Sequence, residues 1–131
     1  MLWTKDSDLE LFLAFYDKSG IPIDVTKEWL SMEVKVGRAL FEADSNPLKE
    51  VVDEETGETT VGEFTNCYIT TYDGEVGIMV VIPSDSLDFG TVYVRSCVHE
   101  ANEHYPDGYK DVWNVWIPMD LAIVTEKGLN Q

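Results

Sequence analysis

The chain has 131 residues, 25 of them acidic and nine basic, for a formal net charge of −16. That length fits a single domain, residues 1–131, able to bury roughly two-thirds of its unfolded surface without a disulfide or metal staple. The charge repels phosphate backbones and anionic lipid, which sets nucleic acid and membrane aside as partners. No apolar run approaches the ~20 residues of a spanning helix, and the amino terminus lacks the basic, apolar and small-residue blocks of a signal peptide. Synthesis and folding in a cytoplasm are expected, with Cys67 and Cys97 as free thiols because they lack a CxxC spacing.

A period of two dominates the chain, which predicts an all-β fold. Residues 8–17 are apolar on both faces, with Leu9, Leu11, Leu13 and Phe15 on one and Phe12, Ala14 and Tyr16 on the other. Gly20 and Pro22 then form a turn, and Asp24-Val25-Thr26 is read as restarting a strand. From Trp29 to Val36 the alternation is clean: Leu30, Met32, Val34 and Val36 face inward, and Ser31, Glu33 and Lys35 face water.

Between Gly37 and Gly62 the pattern predicts two short edge strands around an exposed acidic turn at Thr56-Gly57. Phe64–Tyr72 and Glu75–Ile82 follow as a directly paired hairpin, since Asp73-Gly74 suits a type I′ turn, which demands positive φ at both central residues. Pro83 ends the second strand, Leu87 and Phe89 point inward, and Thr91–Glu100 resumes with Val92, Val94, Ser96 and Val98 on one face. A turn at Tyr105-Pro106-Asp107-Gly108-Tyr109 leads into residues 111–118, and the tail from Asp120 to Glu126 adds a last strand or reaches toward a partner. Seven or eight strands in ~130 residues fit a two-sheet antiparallel sandwich of immunoglobulin-like size, with extended segments at both ends.

Chemistry is sparse. His99, Glu100, Glu103 and His104 carry zinc-type donors, but strand geometry aims His99 and Glu100 apart and no HExxH helix holds the imidazoles together. Asp53-Glu54-Glu55 with Glu58 lacks the ligand order of an EF-hand. No nucleophile elbow, P-loop or dinucleotide fingerprint is present, and Ser96-Cys97 beside His99 is not read as a nucleophile and base, since neighbours on a strand face opposite sides. No catalytic residue, cofactor or metal ligand is therefore assigned. Tyr105, Tyr109, Trp113 and Trp116 are candidate exposed aromatics, and three-residue spacing on a strand would aim Trp113 and Trp116 at opposite faces.

The strand entering Gly20-Ile21-Pro22-Ile23-Asp24-Val25-Thr26, with the amphipathic strand from Trp29, resembles the amino-terminal domain of tailed-phage baseplate upper and fibre-attachment proteins. Ile82-Pro83-Ser84 and Phe89-Gly90-Thr91-Val92-Tyr93-Val94 resemble the next landmark of that family. The closing Tyr105-Pro106-Asp107-Gly108-Tyr109-Lys110-Asp111 and Val115-Trp116-Ile117-Pro118 are similar to small head-fibre and collar-spike proteins of crAss-like phages. The family's glycine after Asp-Leu-Thr is missing here, where Val25-Thr26-Lys27-Glu28 stands.

The resemblance implies a non-enzymatic virion component, made in the host bacterial cytoplasm and joined to other virion proteins through its sheets and termini. A homo-oligomer, dimer or trimer, is expected, with Leu2, Trp3, Leu121, Ile123 and Val124 as interface candidates. A carbohydrate-binding module using the aromatic edge is the alternative, with a glycan as its partner, and a small hydrolase comes third.

Overall fold

A computed structural model describes residues 2–124 and is nearly all β. Among the described residues there are ten strands: β1 (Leu2–Thr4), β2 (Leu9–Leu13), β3 (Trp29–Val36), β4 (Ala39–Val52), β5 (Thr59–Thr65), β6 (Cys67–Tyr72), β7 (Glu75–Ile82), β8 (Gly90–Ala101), β9 (Tyr109–Trp113) and β10 (Ile117–Val124). Seven form one curled sheet in the order β1-β10-β8-β3-β4-β5, with β9 paired to β8, and three form a second sheet, β2-β7-β6. One 3-10 turn, Ser84–Ser86, follows Pro83.

The core lies between the sheets because alternation on every central strand turns its apolar half inward. Leu30, Met32, Val34 and Val36 from β3 are buried with Val92 and Val94 from β8. Against them lie Leu9 and Leu11 of β2 and Ile78, Val80 and Ile82 of β7. Register locks this in: Val34 pairs with Val94, and Leu9, Leu11 and Leu13 pair with Ile82, Val80 and Ile78. Each buried Leu, Ile or Val side chain contributes about 1.5–3 kcal/mol by leaving water.

Several connections differ from the sequence reading. Asp24-Val25-Thr26 does not restart a strand; the Asp24 carboxylate accepts hydrogen bonds from the Thr26 amide at 3.0 Å and hydroxyl at 2.5 Å, closing a turn that drops Val25 into the core. Those bonds hold the Asp24 carboxyl below the usual carboxylate range. The two short edge strands predicted after Gly37 are one long strand, β4, because a register shift between Asn46 and Glu50 absorbs Pro47 without ending the pairing. Phe89 is 47% exposed instead of inward, while Leu87 is buried as expected.

Phe64–Tyr72 is not one strand either. Asn66, at φ 57°, is the corner at which the chain leaves the first sheet for the second. Its side-chain amide donates to the Glu42 carbonyl at 3.0 Å and its own carbonyl accepts from the Val81 amide at 2.9 Å, so one residue stitches both layers.

The ends of the chain are also structural. β1 runs parallel to β10, Leu2 beside Ala122 and Thr4 beside Val124. Leu121 and Ile123 are buried, Ile123 to 1% exposure, and Trp3 packs against the core. Of the apolar ends expected as interface candidates, Leu2 is exposed, whereas Leu121 and Ile123 are spent on this domain's interior; the Val124 side chain lies outside the described part of the structure. The Thr125-Glu126 end of the tail lies outside the described residues.

The Asp73-Gly74 turn has φ 51° and 80°, with Tyr72 and Glu75 paired across it, as a two-residue type I′ hairpin requires. A Cβ at Gly74 would meet nothing within 4 Å, so the cost of substitution there is backbone strain alone. Gly74→Val is expected to lower stability by more than ~1 kcal/mol in urea titration, and an unchanged midpoint would show that the turn tolerates a β-branched residue at positive φ.

Candidate functional site

The outer face of β3, β8, β9 and β4 carries a continuous polar row that the core-facing alternation creates as its by-product. Because Leu30, Met32 and Val34 point inward, Trp29, Ser31 and Glu33 point outward, and pairing sets Ser31 beside Asp44 on one side and Cys97 on the other. His99 pairs with Asp111 of β9 and with Trp29.

The row is bonded end to end. The Ser31 hydroxyl lies 2.6 Å from Asp44 Oδ2 and 2.6 Å from His99 Nε2. His99 Nδ1 lies 2.7 Å from Asp111 Oδ1 and 4.0 Å from Cys97 Sγ. The Trp29 ring stacks on the imidazole at 3.8 Å between centroids, donates its indole N–H to Asp44 at 3.0 Å, and meets the Tyr109 ring edge-on. His99 is consequently a packed residue, its side chain 10% exposed, and not a solvated strand end.

The sequence reading separated Cys97 from His99 by strand geometry, but the two are two residues apart and share the outer face. Glu100 projects from the other face of β8, and His104 sits exposed in the turn before β9, so neither joins the row. Cys97 is fully buried, and burial, with the Asp111 carboxylate adding to it, pushes its thiol up to about 11. Cys67, on the second sheet, is raised to about 11 by burial and by Asp44, with its thiol donating to the Asp44 carbonyl. Both cysteines are free thiols.

Beside this row stands an ion pair. Glu33, buried on the outer face, takes Arg95 Nη2 at 2.5 Å and Nε at 2.6 Å on one carboxylate oxygen. The Trp113 and Trp116 rings lie 4.4 and 4.9 Å from the guanidinium. The two tryptophans therefore meet at one cation instead of opposite faces, because β9 ends at Trp113 and residues 114–116 are not in strand. The Asn114 amide donates to the Ser96 carbonyl at 2.8 Å, which fixes that bend. Tyr105 and Tyr109 do not join them at Arg95; Tyr105 is 43% exposed in its turn.

Ser31, His99 and Asp111 have the residue types of a hydrolytic triad, but the proton count opposes that use. The Ser31 hydroxyl donates to Asp44, so its single proton points there and not to the imidazole. Ser31 also sits mid-strand with neighbours paired on both sides, so no free backbone N–H pair exists there to hold an oxyanion.

Arg95→Met leaves the buried Glu33 charge unpaired and is expected to cost about 3 kcal/mol, whereas Arg95→Met with Glu33→Gln recovers most of it; equal losses in the two variants would refute the pairing. The raised thiols give a second expectation. The folded protein holds those protons above the unfolded value near 9, so their contribution is complete below about pH 9 and is lost as pH rises toward about 11. Cys67→Ala/Cys97→Ala should flatten that part of an alkaline melting profile. No protein-family model matches this chain, and no curated protein or solved structure is significantly similar to it.

Proposed function

We propose that this chain is a non-enzymatic assembly domain of a tailed-phage particle, in a fibre, collar spike or baseplate, working by burial against copies of itself and neighbouring virion proteins. The observation that carries the reading is the arm formed by β4 and β5. Beyond the irregularity at Asn46–Glu50 the two strands continue as a ribbon, and β5 pairs with no strand other than β4 among the described residues. Its apolar side chains stay in water: Leu48 is 56% exposed, Val52 60% and Val61 68%, with Phe64, 43% exposed, at its base opposite Ser45. A two-stranded ribbon is marginal alone, and an apolar open edge is what monomers blunt, so the arm gains stability when a partner covers it.

The strand order supports a finer reading of the fold as an immunoglobulin-like sandwich of variable type. Taking β2, β7 and β6 as one sheet and β10, β8, β3, β4 and β5 as the other reproduces the B-E-D and G-F-C-C′-C″ orders, with β9 inserted between F and G. The net charge of −16 adds a constraint, because like-charged copies associate only where local apolar contact exceeds repulsion. The proton count at Ser31 favours assembly over hydrolysis. A sugar platform is disfavoured because Trp113 and Trp116 both engage Arg95.

Sedimentation at ten to one hundred micromolar is expected to show a dimer or trimer, and Val61→Lys with Phe64→Lys is expected to give a monomer. Both positions are exposed, so thermal stability of the monomer should stay within about 0.5 kcal/mol. A wild type that stays monomeric and is absent from purified particles at fixed stoichiometry would overturn the reading.

A further inference from the structure

The row from Asp44 to Asp111 ends on three donor atoms, Cys97 Sγ, His99 Nδ1 and Asp111 Oδ1. Asp44 accepts from Ser31, so the Ser31 oxygen accepts from His99 Nε2, and that nitrogen must carry a hydrogen. Asp111 is likewise an acceptor, 2.7 Å from Nδ1, and the buried Cys97 sulfur stands 4.0 Å from the same nitrogen. Nδ1, Oδ1 and Sγ thus converge on one space between β8 and β9.

We propose that Cys97 Sγ, His99 Nδ1 and the Asp111 carboxylate bind one divalent cation of the zinc class, with water in the fourth position. The three donor atoms lie within 4.8 Å of one another. Thiolate, imidazole and carboxylate on one ion is a donor set that selects zinc over calcium or magnesium. Bonds of about 2.0–2.3 Å at tetrahedral angles place donors roughly 3.3–3.6 Å apart. The sulfur therefore draws in by a few tenths of an ångström and the Asp111 carboxylate swings out by about half an ångström. Asp111 is free to do so, its side chain being 50% exposed, and that exposed side gives the ion its approach. As the metal–sulfur bond forms, the thiol proton passes to solvent.

The surroundings are those a metal-bound histidine needs. A ligating imidazole is oriented by the hydrogen bond its other nitrogen donates, and here Nε2 donates into Ser31 and through it to Asp44 while Trp29 fixes the ring plane. The ligands come from β8 and β9, so the ion would pin the inserted β9 strand to the sheet. This inference stands apart from the assembly reading, since it concerns a single domain.

The test is titration of the reduced full-length chain with Co2+, whose thiolate complexes absorb in the near ultraviolet, followed by displacement with Zn2+. One equivalent should bind with a thiolate-to-cobalt band, and zinc should raise the melting temperature. Cys97→Ser should abolish the band, and Asp111→Asn and His99→Gln should weaken binding at least tenfold. Ser31→Ala, which touches no metal, should weaken it about ten- to a hundredfold, while the exposed His104→Ala should leave it unchanged. Because Asp111 is half exposed, Asp111→Asn should keep the wild-type circular dichroism spectrum, so its loss of binding reads the site and not the fold. Absence of the band in the wild type, or binding unaffected by Asp111→Asn, would overturn the proposal and assign any bound metal to the acidic surface.

Discussion

The pairing of β3 with β8 is the constraint on which the rest of the molecule depends. Eight consecutive partners, from Trp29 opposite His99 to Val36 opposite Val92, decide which half of each strand enters the core. Because side chains alternate with a period of two, a one-residue slip of β3 would expel Leu30, Met32 and Val34 and turn Ser31, Glu33 and Lys35 toward the core. The hydrophobic half is the driving term, since the outward residues form pairs whose net gain is small next to full burial of a large aliphatic side chain. The polar row is thus placed by the core, at no separate cost in backbone order. Its own bonds then hold β9 and β4 at fixed distances from the centre.

Much of this was legible where a local pattern has one physical solution. The alternation through β3 and β8, the Asp73-Gly74 turn and the stop at Pro83 are each decided within a few residues. What escaped is decided at a distance. Asn66 interrupts no hydrophobic pattern, so Phe64–Tyr72 reads as continuous, yet its positive φ and two cross-layer hydrogen bonds make it the corner between sheets. Pro47 reads as a breaker, and only the bulge shows that β4 survives it. The row from Ser31 to His99 joins residues 68 apart, and no spacing rule reaches that far. Cys97 and His99 did carry a signal, being two apart on a strand, and Asp111 opposite them follows once the turn near Tyr105 is taken as a hairpin.

Charge and apolar exposure divide the surface between them. The acidic loop at 53–58 is a self-contained turn: the Asp53 side chain accepts from the Glu55 amide at 2.8 Å, and the backbone of Asp53 pairs with Glu58 and Gly57. It caps the end of the same arm whose flanks carry Leu48, Val52 and Val61. A charged tip on an apolar shaft favours contact along the shaft and disfavours stacking tip to tip, which limits the geometries in which copies can meet.

The parallel pairing of β1 with β10 has a mechanical consequence. The first described strand and the last run side by side in the same direction, with Leu2, Trp3 and Thr4 matched to Ala122, Ile123 and Val124. A chain pulled from residue 2 at one end and residue 124 at the other draws these strands along their axes in opposite senses. Their hydrogen bonds are then loaded in shear, all together, instead of opening one after another as a zipper would. With Ile123 anchored in the core and Trp3 packed on it, tension between the two ends meets its resistance at the outset, before any central strand is strained.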